Sequence, residues 1–101
     1  MKTTILEKDG KTLVSIKGEL DTGTCAKFQE AVKPLTGKEG LDVEFDLSEL
    51  EYISSRGLRI LISLQQDIVA RGGKMRIHNI SSSVREVFDV TGLSKSFLNI
   101  D

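Results

Sequence analysis

Between Leu41 and Leu47 apolar and acidic residues alternate without a break: Leu41, Val43, Phe45 and Leu47 on one side, Asp42, Glu44 and Asp46 on the other. Successive side chains of a β-strand point to opposite faces, so this run reads as a strand buried on one face and wet on the other. The pattern returns at Lys74 to His78, with Met75 and Ile77 inward and Lys74, Arg76 and His78 outward. Between them the period changes. Leu58, Leu61, Ile62, Leu64, Ile68 and Val69 make a broad apolar face on a helix from about Arg56 to Ala70, ended by Arg71-Gly72-Gly73. Strand, helix, strand favours parallel pairing through a right-handed crossover. If these strands are neighbours, acids and bases lie side by side on the open face of the sheet, in pairs worth roughly 0.2–1 kcal/mol each.

The flanks extend the same scheme. Thr3 to Glu7 and Lys11 to Lys17 surround Asp9-Gly10 and read as a β-hairpin, with Gly18 ending its second strand. Cys25, Phe28, Val32 and Leu35 fall at helical spacing after Thr22 or Thr24 as a cap, with Pro34 near the end of that helix and a loop at Gly37 to Gly40. A third helix begins within Ser81-Ser82-Ser83, where Ser83 and Glu86 could form a capping box. Val84, Val87 and Phe88 face inward on it, Gly92 ends it, and Leu93, Phe97, Leu98 and Ile100 offer a final strand or docking segment. The expected order is β-β-α-β-α-β-α-(β): an α/β fold bordering on α+β, with a mostly parallel sheet, an N-terminal antiparallel hairpin and about three helices mainly on one face. Residues 1–101 suffice for one domain with one core.

Several function classes lack their raw material. Lys and Arg number 14 against 15 acids, a net charge of −1, which gives no reason to expect nucleic acid. The segment MKTTILEKDG has no apolar core long enough for a signal peptide, and the longest apolar runs are far too short to insert in a membrane. One cysteine excludes an internal disulfide, so a cytoplasmic location is the default. The single histidine, His78, reads as a surface residue, and Cys25 as a packed one. No metal cluster, nucleophile–base pair or phosphate-cradling glycine loop is legible, so neither an enzyme nor a cofactor is expected.

The informative stretch is Asp46 to Leu61, where a strand ends, Ser54 and Ser55 follow, and Gly57 opens the apolar helical run. A serine at a helix start can cap it by accepting a backbone N–H. The same location suits a phosphate, because free N–H groups and the helix dipole favour negative charge there. Local chemistry leaves cap and phosphoacceptor both open, for either serine.

Taken together, Gly18-Glu19-Leu20-Asp21, the run FDLSELEYISSRGLRIL from Phe45 to Leu61, and VFDVTGL ending at Leu93 resemble the STAS domain, a family named for sulphate transporters and anti-sigma factor antagonists. The likeness spans nearly the whole chain and looks most like the freestanding anti-sigma factor antagonists. In that family the switch serine begins the second helix, usually as Asp-Ser-Ser/Thr-Gly-Leu. Aligning Gly57-Leu58 with the family's Gly-Leu makes Ser55 the phosphorylation site and Ser54 a second, rival acceptor. Ser54 then stands where the family usually has aspartate, and Arg56 where it has Ser or Thr, so one negative charge is lost and one positive gained. Asp21 and Asp46 match family aspartates and, with Arg56 and Gly57, would form the phosphosite environment and partner interface.

The resemblance implies partner switching that regulates transcription. The unphosphorylated domain would bind an anti-sigma factor with serine kinase activity, phosphorylation would release it, and a serine phosphatase would reset it. It also implies an alternative, a non-switching STAS assembly subunit of a transporter-associated or stress-signalling complex, in which Ser55 would only cap.

Overall fold

The computed structural model describes residues 1–90. The hairpin forms as expected: β1 (Lys2–Lys8) pairs antiparallel with β2 (Lys11–Leu20), closing at Lys8↔Lys11. Asp9 and Gly10 both have positive φ, 54° and 77°, the conformation that lets a two-residue turn follow the strand twist. Next come α1 (Cys25–Val32), a 3₁₀ turn at Lys33–Leu35 containing Pro34, β3 (Asp42–Asp46), β4 (Leu50–Ile53), α2 (Ser55–Ala70), β5 (Lys74–His78) and α3 (Ser82–Val90).

Among the described residues the sheet has five strands, in the order β1-β2-β3-β5 with β4 attached to β2. β3 and β5 are parallel neighbours, pairing Asp42↔Lys74, Glu44↔Arg76 and Asp46↔His78. Acid therefore faces base across the open face, and Arg76 Nη2 lies 2.8 Å from Asp42 Oδ1 and 3.2 Å from Glu44 Oε1. The opposite face lies beneath the helices. Val14, Ile16, Phe45, Ile77, Phe28 and Leu61 join one continuous core there.

Three expectations need correction. Gly18 does not end β2. It bends it, at φ 99°, where the register shifts before Glu19, and the strand runs on to Leu20. That extension pairs with β4, a strand the periodicity does not announce, because Leu50 and Ile53 are buried while Glu51 and Tyr52 between them are both exposed. The third helix is capped by Ser81, whose Oγ accepts from Val84 N at 3.3 Å, and not by a Ser83–Glu86 box. Gly92 and the expected segment from Leu93 to Ile100 lie outside the described residues.

Long β2 is what positions the site. Its first half pairs with β3, Thr12↔Val43 to Ser15↔Asp46; its second half pairs with β4, ending at Leu20↔Ile53. The chain leaves both Leu20 and Ile53 at the same end of the sheet and starts a helix from each.

Candidate functional site

The N-termini of α1 and α2 meet beyond the end of β2. Ser54 N–H donates to Leu20 C=O at 2.8 Å, which fastens the start of α2 to the last residue of β2. Ser54 Oγ accepts from Gly57 N at 3.2 Å, as an N-cap does, and lies 3.7 Å from Cys25 Sγ at the start of α1. Ser54 is 8% exposed. Ser55 is the first residue of α2 and is exposed. Capping and exposure are thus divided between the two serines. The phase of the helix divides them: Leu58 and Leu61 must face the core, and that turns Ser54 inward and Ser55 outward.

Gly57 is buried because α2 starts tight against β2. A Cβ added there would lie 2.7 Å from Leu20 Cγ and 3.2 Å from Leu20 O. Its need is for close approach, not for unusual backbone angles.

Asp21 lies beside this junction and is largely occupied. Its Oδ1 accepts from Gly23 N at 2.9 Å and Thr24 N at 3.0 Å, and so shapes the turn into α1. Thr24, one of the two expected caps, takes the N-cap position without a side-chain cap bond and bonds backwards, donating to Glu19 O at 2.9 Å and accepting from Asp21 N at 3.0 Å. Asp46 is elsewhere. It pairs with Ser15, five residues back along β2 from Leu20, roughly 16 Å of strand at about 3.3 Å per residue. It also points to the open face, where it accepts from Ser48 N at 3.0 Å. That backbone N–H, aided by Asn79 and His78, holds the Asp46 carboxyl below its ordinary pKa despite partial burial. The structure therefore groups Ser54, Ser55, Arg56, Gly57 and Asp21, and separates Asp46 from them.

Charge around Ser55 is basic. The first turn of α2 contains no acid, and both Arg56 and Arg59 are exposed. Arg59 follows Ser55 by four residues, on the same face of the helix one turn on, a spacing readable from the sequence alone. Exposed Glu51 and Tyr52 on β4 lead directly into the site, and no signal marks them before β4 itself is known. Among the described residues no group of three or more His, Cys, Asp or Glu side chains could hold a metal ion, and no helix is long and apolar enough to cross a membrane. His78 lies on the open face with Nε2 3.9 Å from Glu44, and Cys25 is fully buried, so neither adds a reactive group to the serine pair.

The STAS domain model matches residues 2–101. The chain belongs to the STAS domain family. Among relatives of this STAS domain is the anti-sigma-B factor antagonist of Bacillus subtilis, 27% identical over 89 residues that cover 88% of this chain and 81% of that protein. Another is the anti-sigma-F factor antagonist RsfB of Mycobacterium tuberculosis, 30% identical over 94 residues that cover 93% of this chain and 76% of that protein. The crystal structure of an anti-sigma factor antagonist from Mycobacterium paratuberculosis superposes with a TM-score of 0.86 at 26% identity, covering 98% of this chain and 84% of that one. The STAS domain thus supplies a β2–β4 end from which two helices depart, with one serine turned into the junction and one turned out.

Proposed function

We propose that this STAS domain is an anti-sigma factor antagonist that switches partners through Ser55. Unphosphorylated, it binds an anti-sigma factor that is also a serine kinase, and the sigma factor goes free. It acts by binding, in the cytoplasm, and is a substrate of the kinase without being an enzyme itself.

The observation that carries this reading is the division of labour between the serines. Ser54 is buried and committed to the α2 cap, whereas Ser55 presents its side chain to solvent one residue later. The reading therefore takes Ser55, and not Ser54, as the acceptor. In the transfer, Ser55 Oγ bonds to the γ-phosphorus of ATP, the bond to the departing ADP oxygen breaks, and the hydroxyl proton passes to a base on the kinase. A serine phosphatase restores the hydroxyl.

Phosphorylation adds about −1.5 to −2 charges at a helix start that tolerates them. The fold need not change for the partner surface to change sign. Near Ser55, Asp21 or an acid on the partner can oppose the new charge. One unit pair about 8 Å apart at an effective dielectric near 20 costs roughly 2 kcal/mol, or about 30-fold in affinity.

The test is the intact mass of the protein after incubation with ATP and an anti-sigma factor kinase from the same organism. One added phosphate, absent in Ser55→Ala and retained in Ser54→Ala, is the expected result. No phosphate on the wild type, with a kinase shown competent on another substrate, would exclude the switch.

A further inference from the structure

Between α1 and α2 runs an open groove of about 870 Å³. Its floor is apolar, made by Val32, Ile60 and Leu64, and its rim is basic, made by Arg56, Arg59 and Lys33, with Glu30 as the one carboxylate in the lining. The helices start together, where Cys25 meets Ser54, and the loop beyond the end of α1 is tied back to α2 where Gly37 N–H donates to Asp67 Oδ2 at 3.1 Å. Cations therefore stand at both ends of the groove, Arg56 and Arg59 near the helix starts and Lys33 at the end of α1. The 8 residues of α1 give it a length of about 12 Å, two turns of a helix.

Two features make this rim unsatisfied. Among the described residues Arg56, Arg59 and Lys33 form no ion pair, whereas Arg71 and Arg76 each bind two carboxylates. Arg56 and Arg59 also sit at the positive end of the α2 dipole, where negative charge is favoured. Cations set on both helices above an apolar floor match a segment with acids along one face.

Resting on the reading of Ser55 as phosphoacceptor, we propose that the α1–α2 groove seats an acidic amphipathic segment of the partner protein, and that a phosphate on Ser55 evicts it by capturing Arg59 and Arg56. Long side chains on a helix lean toward its N-terminus, so Arg59 extends over the turn that begins with Ser55. A phosphate there gains charge-assisted bonds to guanidinium groups, which are then lost to the partner. Arg56, where the family has Ser or Thr, thereby acquires a purpose on both sides of the switch.

The probe is a synthetic peptide of about 14 residues, long enough to hold some helix, with leucines on one face and glutamates on the other. It is titrated into isotope-labelled protein while backbone amide shifts are followed. Shifts along Ala26, Gln29, Arg59 and Ser63 are expected, with affinity falling roughly tenfold in Arg56→Glu/Arg59→Glu as attractions become repulsions. The same loss is expected in protein carrying phosphoserine at position 55, installed during translation so that no kinase is needed. In that protein, phosphorus NMR should give a second phosphate pKa below the ordinary value of about 6, returning toward it in Arg59→Gln.

Equal peptide binding with and without the phosphate would overturn the proposal. So would shifts confined to the sheet face, equal groove shifts from inorganic phosphate alone, or groove shifts that follow protein concentration without peptide, which would make the occupant an anion or a second copy. Failure of a kinase to modify Ser55 would sink the switch while leaving the peptide result standing, so the two failures are distinguishable.

Discussion

Gly57 lies directly against Leu20, so close that a methyl group on Gly57 would meet Leu20 Cγ at 2.7 Å. This contact sets how far α2 sits from the end of β2, and with it where Ser55 is held. Gly57→Ala is therefore expected to cost about 1–3 kcal/mol by overpacking, read from the midpoint of denaturant unfolding. It should also weaken kinase modification of Ser55 in conditions where the variant is still folded. An unchanged midpoint would mean that α2 can move away from β2 freely.

Ser54 and Ser55 should respond unequally to alanine. Ser54→Ala removes the cap to Gly57 N and is expected to lower stability by about 1 kcal/mol. Ser55→Ala, at an exposed position with no cap to lose, should stay within about 0.5 kcal/mol of wild type. Thermal unfolding of the two variants side by side distinguishes them, and equal losses would contradict the division between cap and exposed hydroxyl.

The end of α2 provides a steric contrast. A Cβ on Gly73 would collide with Leu41 backbone atoms and with Ile68 Cγ2, whereas one on Gly72 meets open space but sits at φ 79°. Gly73→Ala is expected to cost about 3 kcal/mol, because backbone gives way less readily than a side chain. Gly72→Ala should cost about 1–2 kcal/mol from the left-handed conformation alone. Chemical unfolding that ranks Gly72→Ala as the more damaging would refute the close packing of Gly73 against Leu41 and Ile68.

Acid should loosen the strand end at Asp46. The Ser48 backbone N–H, chief among its partners, lowers the folded-state pKa of this carboxyl. A depressed folded pKa means the charged form stabilises the fold above the unfolded value, about 3.9, and that this contribution is lost as pH falls through the folded pKa. Melting temperatures taken from pH 6 downward should therefore fall more steeply below about pH 4 in wild type than in Asp46→Asn. Parallel curves would show that Asp46 carries no such linkage.

The Asp9-Gly10 turn located the hairpin, and periodicity located β3, β5 and the three helices, because each has one buried face that repeats at 2 or 3.6 residues. It also paired the acids of β3 with the bases of β5. It failed at β4, where Leu50 and Ile53 are buried three residues apart and no alternation survives. An extra residue on β4 is the cause: Gly18 pairs with Leu50 and Glu19 with Tyr52, so Glu51 is left without a partner on β2 and the alternation slips by one.

The sequence by itself determined the fold class, the family, and the presence of two serines at a helix start, because these reside in local pattern and motif. Only the tertiary structure showed what holds the inward serine, since Ser54 N–H bonds Leu20 C=O and Ser54 Oγ lies beside Cys25, contacts between segments far apart in the chain. It also decided that Asp21 neighbours the site while Asp46 does not. Each matches a family aspartate, but β2 is long enough to carry Leu20 five residues past the Ser15 partner of Asp46. Distance along a shared strand is a property of pairing, and pairing is set between segments far apart in the chain.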